Sequence, residues 1–218
     1  MRVAVFGSFY RGVAVLNELL FGPLRETLQV VGVATDDPSQ SFVSASRRVW
    51  QYPHAEWEEE MMVDAARRQA VPVYRGRVKH QDFYQMFEDQ WRPDLCITAT
   101  FGQRIDERIF SYPSLGFYNL HPYDGGHWPS DYAGGNPFQM MIDDGRTDCC
   151  LALHHVDAGF DTGRIVAASE RIAIPAGASV PDMHKITSPF AGLLVRRHLT
   201  QLLSAHSAAR VEADARVD

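Results

Sequence analysis

The sequence predicts an α/β protein built on a doubly wound, mostly parallel sheet within a single domain. Short apolar runs of strand length alternate with amphipathic segments of helical period over the first 120 residues. The first of these runs ends in a glycine turn that opens into a helical pattern. No low-complexity linker or internal repeat divides the 218 residues, a length that suits one sizeable core.

Residues 3–6 form the first strand, Gly7-Ser8 the turn, and the periodic stretch 13–20 the first helix. Residues 30–34 supply a second buried strand that runs into the polar turn Thr35-Asp36-Asp37-Pro38. Residues 39–54 show neither period and hold Arg47, Arg48, Trp50, Tyr52 and His54. A helix is expected over 55–69, with Trp57, Met61 and Ala65 four apart on one face, followed by a brief strand over 71–74. Residues 81–91 repeat the helical spacing with Phe83, Phe87 and Trp91. The run 95–99 is apolar enough for a central strand. The next strand, 117–120, is expected to stop at His121-Pro122, because proline has no N–H to extend a ladder. A glycine-rich aromatic loop over 123–135 precedes a short helix near 136–143, and two longer strands follow at 149–156 and 164–174. The last helix is expected to begin at Ser188-Pro189, an N-cap followed by proline at the first helical position. Residues 1–206 then form the domain, and 207–218 a flexible tail with little to bury.

Composition narrows the function classes. Hydrophobic residues make up 45% and charged residues 22%, which is globular material, and the net charge of −6 disfavours a nucleic-acid partner. No stretch approaches the roughly 18–20 apolar residues of a membrane helix, and the start runs directly into a strand without a cleavage pattern. No membrane partner and a cytoplasmic location are expected. Cys96, Cys149 and Cys150 provide neither a disulfide framework nor metal-ligand spacing.

Doubly wound sheets bind ligands outside the carboxyl ends of their strands, where the strand order reverses. That rule marks Gly7-Ser8, Thr35-Asp36 and residues 100–105 and 119–121. Strand alternation puts Asn119 and His121 on one face, about 7 Å apart. An amide can stabilise a developing oxyanion and an imidazole can carry a proton, although the same pair would equally tie down neighbouring loops. The segment Asp157-Ala158-Gly159-Phe160-Asp161-Thr162-Gly163 is a shaped turn. An aspartate there is suited to raising the basicity of a nearby histidine, and equally to hairpin geometry for backbone reasons. No metal is expected: His154 and His155 are adjacent on a strand and face opposite sides.

In order and spacing, Asn119-Leu120-His121-Pro122, then Gly134-Gly135-Asn136-Pro137, then Asp157 to Gly163 resemble the formyltransferases that use 10-formyltetrahydrofolate. The resemblance spans about residues 1–205 and is sharpest over 93–166. It implies a Rossmann-like formyltransferase fold and an enzyme that passes a formyl group from 10-formyltetrahydrofolate, its co-substrate, to an amine-type nitrogen without a metal. By that resemblance the catalytic groups fall on Asn119, His121 and Asp161. Asn119 and a protonated His121 would stabilise oxygen, and Asp161 would position water or the imidazole. The folate pocket would fall on Phe101, Gly102, Gln103, Arg104 and Ile105 on one side, with His155, Asp157, Ala158, Gly159 and Phe160 on the other.

Departures from the family pattern bear on the acceptor. Gly7-Ser8-Phe9-Tyr10-Arg11-Gly12 replaces the glycine- and asparagine-rich phosphate loop of purine-pathway members, which disfavours glycinamide ribonucleotide. Methionyl-tRNA members carry a further C-terminal domain, whereas this chain stops soon after its last helix, so that substrate is also not expected. The loop 123–135 is acidic and aromatic. Asp124 or Asp131 suits a cationic amine, and Arg11, Arg47 or Arg48 suits a carboxylate. With Ser8, Phe9, Tyr10 and Trp128 they make up the expected acceptor set. The segments 7–12, 47–54 and Trp91-Arg92-Pro93-Asp94-Leu95-Cys96 most resemble the N5-hydroxyornithine formyltransferases of siderophore biosynthesis. The alternatives are a sugar-nucleotide N-formyltransferase, stacking a base on Trp50, Tyr52 or Trp128, then a glycinamide ribonucleotide enzyme, a formyltetrahydrofolate hydrolase, and a non-catalytic scaffold on the same fold. An apolar face on the terminal helix (Phe190, Leu193, Leu194, Leu202) is suited to docking on the sheet or to a homodimer.

Overall fold

A computed structural model of the chain describes residues 1–43 and 49–214. Strands and helices alternate as β1 (Arg2–Gly7), α1 (Phe9–Phe21), β2 (Gln29–Ala34), α2 (Glu56–Arg68), β3 (Val73–Tyr74), α3 (Gln81–Met86), β4 (Leu95–Ala99), α4 (Glu107–Phe110) and β5 (Phe117–Tyr123). The strands β3, β2, β1, β4 and β5 lie side by side in that order, each parallel to its neighbour. The chain continues through α5 (Pro137–Asp143), β6 (Asp148–His155), β7 (Ile165–Ala168), β8 (Ile172–Ala173) and α6 (Val180–Asp214). β6 runs antiparallel to β5 and pairs with both β7 and β8. The predicted mostly parallel α/β sheet in one domain is what forms.

Strand alternation builds a core on each face. Val3 and Val5 of β1 join Leu95 and Ile97 of β4 beneath α1, α2 and α6. Ala4 and Phe6 point the other way, into Phe83, Phe87, Trp91 and Phe117. Two glycines set how closely layers approach. A Cβ on Gly7 would stand 2.8 Å from the Ala99 carbonyl oxygen and 3.0 Å from the Gly12 Cα, so the β1–α1 turn seats directly on β4. A Cβ on Gly32 would stand 2.1 Å from the Trp91 ring, so β2 leaves that indole room only because residue 32 has no side chain. No helix among the described residues is long and apolar enough to cross a membrane.

Several expectations need correction. The buried face of α2 is Glu58, Met62, Val63 and Ala66, one residue on from the expected stripe, and Trp57 is 60% exposed. The helix expected over 81–91 is α-helical only to Met86 and then widens into a π-turn over Phe87–Trp91, closed by Arg92 in left-handed backbone. β5 does not stop before Pro122 but continues to Tyr123. Pro122 faces Leu151, whose N–H and carbonyl both turn to Ser169, so this pair needs no N–H from proline. The strand expected over 164–174 is broken into β7 and β8.

α6 starts at Val180 rather than at Ser188. Ser179 and Asp182 exchange side-chain and backbone hydrogen bonds and cap that earlier start. Pro189 is interior, and beside it the hydroxyls of Thr187 and Ser188 bond back to the Met183 and His184 carbonyls. The helix packs along α1 and buries Leu194 in its own chain, leaving Leu193 exposed. It remains helical to Asp214, past residue 206 where the domain was expected to end.

Candidate active site

The strand order reverses between β1 and β4, and a pocket opens at the carboxyl ends of β4 and β5. It encloses ≈ 980 Å³ of empty space, its open mouth included, and draws its floor from Thr98, Thr100, Asn119, His121, His154 and Asp161. Register brings this floor together. Asn119 of β5 lies directly opposite His154 of β6, and His121 opposite Ala152, so the amide and both imidazoles share one sheet face.

The polar contacts close around Asp161. Its carboxylate accepts from the Gly134 N–H at 3.0 Å and from the Asn119 amide at 3.1 Å. His121 Nδ1 stands 3.5 Å from the same group, and His154 Nε2 3.6 Å. Burial alone would push the Asp161 carboxyl up, but the surrounding donors and imidazoles outweigh it and hold its pKa at about 2. Asp161 is therefore an anion. His121 Nε2 lies 2.9 Å from the Tyr132 carbonyl, which can only accept, so that nitrogen carries the proton. Burial lowers the His121 pKa, against the pull of Asp161 and the Tyr132 carbonyl, and the charge of Arg11 lowers it further. The resting ring is thus neutral, with its Nδ1 lone pair facing Asp161.

His154 is the residue that sequence reasoning left out of the site. Its Nδ1 donates to the His155 carbonyl at 2.7 Å, which leaves Nε2 to accept from the Asn119 amide at 3.2 Å. At 3.6 Å, Nε2 is beyond a normal hydrogen bond to Asp161, so the contact with Asn119 governs. The alternation that rules out joint metal binding by His154 and His155 also sends one of the two to the floor. Pairing register, which no local pattern encodes, decides that it is His154. His155 goes to the opposite face, with its ring 4.7 Å from Tyr118.

In the turn after β6, the hairpin reading and the chemical reading apply to different residues. Asp157 accepts from the Gly159 N–H and the Thr162 hydroxyl and staples the loop. A Cβ on Gly159 would stand 2.0 Å from Thr162 Oγ1, and one on Gly163 1.9 Å from the His155 carbonyl oxygen, so both positions require glycine. Asp161 is what this tight turn presents to the floor. Phe9, Thr100 and Asp161 all hold left-handed backbone, with φ of 59°, 61° and 51°, and two of them line the pocket.

Of the expected folate-side residues, Phe101, Gln103, Arg104, Ile105, Asp157, Gly159 and Phe160 line the pocket, while Gly102, His155 and Ala158 do not. Gly102 instead gives its N–H to the buried Asp36, and Gln103 ties to Val78 and Gly76, so the loop's backbone is fixed from behind. Arg104 lies 4.9 Å over the Phe160 ring and donates to the Ala158 carbonyl, joining the two walls.

The expected acceptor residues fare differently. Of those among the described residues, only Arg11 lines the pocket. Ser8 straps β1 to β2 through Thr35 and the Asp36 N–H. Phe9 packs on Trp50 and His184, and Tyr10 donates to Glu58. Asp124 pairs with Arg146, and Asp131 lies beside His127 on the surface. Trp128 donates to the Gly163 carbonyl and lays its ring 4.9 Å from His154, so it supports the floor from the side. Arg47 and Arg48 lie outside the described residues. The pocket also takes in Phe138 and His184, which sequence reading did not single out. His184 comes from the stretch assigned to a loop before the last helix. Among the described residues, no cluster of histidine, cysteine and acidic side chains is arranged to hold a metal ion.

Comparison with known proteins accords with this geometry. The sequence model of the family described as Formyl transferase matches residues 1–191. A methionyl-tRNA formyltransferase of Syntrophus aciditrophicus is 30% identical over 67% of this chain and 45% of its own length. One from Syntrophomonas wolfei is 24% identical over 98% of this chain and 62% of its own. The chain thus spans about half the length of the curated relatives it matches. Among solved structures, phosphoribosylglycinamide formyltransferase from Bacillus halodurans superposes with a TM-score of 0.67 and 19% identity, covering 94% of this chain and 96% of that one. At that identity the likeness is one of fold.

Proposed function

This chain belongs to the formyl transferase family, and from that premise we propose that it transfers a formyl group from 10-formyltetrahydrofolate to a small-molecule amine or hydroxylamine, with N5-hydroxyornithine as lead acceptor. The observation that carries the reading is the convergence of Asn119, His121 and Asp161 on one pocket floor. When bound, the folate supplies an electrophilic formyl carbon. The walls suit such a ring system: Phe101 and Ile105 are apolar, the backbone of the loop 100–105 is braced, and the buried hydroxyl of Thr98 has no partner within the protein.

Each polar group then has a defined task. His121 Nδ1 is the basic nitrogen, because Nε2–H is committed to Tyr132. It takes the proton of the attacking nitrogen, and anionic Asp161 beside it stabilises the imidazolium that results. The imidazolium returns the proton to the folate nitrogen as the bond from that nitrogen to the formyl carbon breaks, releasing tetrahydrofolate. Asn119 commits one amide N–H to Asp161 and the other to neutral His154. An oxygen gaining negative charge competes with the imidazole for that second N–H and wins as its charge grows. A hydroxylamine is unprotonated and nucleophilic at neutral pH, so the residues' main work is positioning and charge stabilisation. The bulk of Phe9 and Tyr10 after β1, with both side chains engaged in packing, supports an acceptor other than a ribose phosphate.

A second reading, formylation of methionyl-tRNA, is favoured by the names of the curated relatives. One assay separates the readings: tetrahydrofolate release from 10-formyltetrahydrofolate, with N5-hydroxyornithine, ornithine, glycinamide ribonucleotide, an amino-sugar nucleotide or methionyl-tRNA added singly. Turnover with hydroxyornithine alone is expected. Turnover with methionyl-tRNA or a sugar nucleotide would replace the acceptor, and release without any acceptor would make the protein a hydrolase.

A further inference from the structure

Arg11 is a buried charge with few compensating contacts among the described residues. It sits in the first turn of α1 and lines the catalytic pocket, with only 3% of its surface exposed. Among the described residues no carboxylate pairs with it. Its Nη2 makes one long contact, 3.4 Å to the Thr187 hydroxyl, and its Nε has no hydrogen-bond partner. The Phe138 ring covers the guanidinium at 5.2 Å from the centroid. The thiol of Cys149 would favour the charge of Arg11 if ionised, but burial pushes that thiol up to about 12 and it stays neutral. Removing an unpaired guanidinium from water costs far more than such contacts return, unless an anion completes it.

We infer that Arg11 anchors the carboxylate of an amino-acid acceptor, an assignment that rests on the formyl-transfer reading of the pocket. The geometry selects the ligand class. Arg11 lines the pocket, and a guanidinium presents its donors in a planar fork that a carboxylate meets with two hydrogen bonds. Charge balance favours a monoanion. Burial keeps His184 neutral, and the other lining arginine, Arg104, is occupied at the mouth by Phe160 and the Ala158 carbonyl. One positive charge then matches a carboxylate, while a phosphate carries closer to two. Arg11 lines the same pocket as His121, so a carboxylate held there lies in the cavity where the nitrogen is formylated.

The test compares N5-hydroxyornithine with its carboxamide and with the analogue bearing a phosphonate in place of the carboxylate. In the wild type, the carboxamide should show a KM higher by about 10- to 100-fold at similar kcat, the usual weight of hydrogen bonds to a charged group. Arg11→Met should raise KM for the acid to that of the carboxamide, and Arg11→Lys should recover part of the difference. Thermal unfolding shows whether each variant is folded, and the wild-type comparison needs no substitution. Equal KM for acid and carboxamide in the wild type overturns the inference, as does a variant that weakens both alike. A phosphonate that binds as tightly as the acid overturns the carboxylate assignment. Should no acceptor be turned over, so that the transferase reading itself fails, calorimetric binding of ornithine and ornithine amide tests Arg11 directly. Preference for ornithine in the wild type, lost in Arg11→Met, supports the anchor, and equal binding refutes it.

Discussion

Replacing Asp161 by asparagine removes one charge from the centre of the site and leaves its shape nearly intact. The carboxylate accepts from Gly134 and Asn119 and stands 3.5 Å from His121 Nδ1. These surroundings lower its pKa from 3.8 to about 2. At about 1.4 kcal/mol for each pH unit, that difference corresponds to roughly 2 kcal/mol of preference for the anion. If the imidazolium of His121 draws on a share of that preference in the transition state, Asp161→Asn should lower kcat by up to roughly 30-fold. The assay is steady-state tetrahydrofolate release with the acceptor identified by the screen above, with KM for the folate expected to change little. Stability provides an independent check. A carboxyl whose folded pKa lies below its unfolded value stabilises the fold fully above the unfolded value and loses that contribution as pH falls through the folded one. The stability gap between wild type and variant should therefore persist above pH 3.8 and close as the pH falls toward about 2. A folded Asp161→Asn protein with kcat within threefold of wild type would refute the role assigned to the anion.

Other perturbations reach different parts of the argument. His154→Phe removes the acceptor that competes with the developing oxygen for one Asn119 N–H, and kcat should rise by up to about threefold to tenfold, the weight of one neutral hydrogen bond. An unchanged kcat would leave His154 with packing alone. Gly32→Ala drives a methyl group into the Trp91 ring and should destabilise the fold by about 1–3 kcal/mol in urea unfolding, with neutrality excluding the close β2–indole approach. Burial lowers the His198 pKa from 6.5 to about 4. The unfolded chain binds the extra proton in that window, so stability should be full above about pH 6.5 and fall as pH drops toward 4. His198→Leu should flatten this slope by about one proton, leaving the part due to His121, His155 and His184; an unaltered slope would show that His198 stays protonated in the fold.

Much of this architecture is written locally. The strand–helix alternation, the glycine turn after β1, and the aspartates and glycines between 157 and 163 all act through backbone conformation or period, which neighbouring residues specify. The expected residues Asn119, His121 and Asp161 do meet, because the first two share a strand face and the third follows a turn that admits little else. The start of α6 was misplaced because Ser188-Pro189 has the local signature of a helix start. Ser179 and Asp182 carry a reciprocal cap nine residues earlier, and packing along α1 carries the helix through the proline.

Of the expected acceptor residues among those described, only Arg11 reaches the pocket. Bulky or charged residues near a site loop do not reveal whether they face the pocket, and here Tyr10 turned to Glu58, Asp124 to Arg146 and Trp128 to Gly163. By itself the sequence determined the fold class, the family motif and the chemical groups available, since these depend on periodicity and spacing along the chain. Only the tertiary structure decided that His154 rather than His155 enters the site, and that Arg11 is buried beside Phe138 without a counter-ion. Those facts follow from strand register and from helices that meet across a long span of sequence, relations between distant residues that no short window contains.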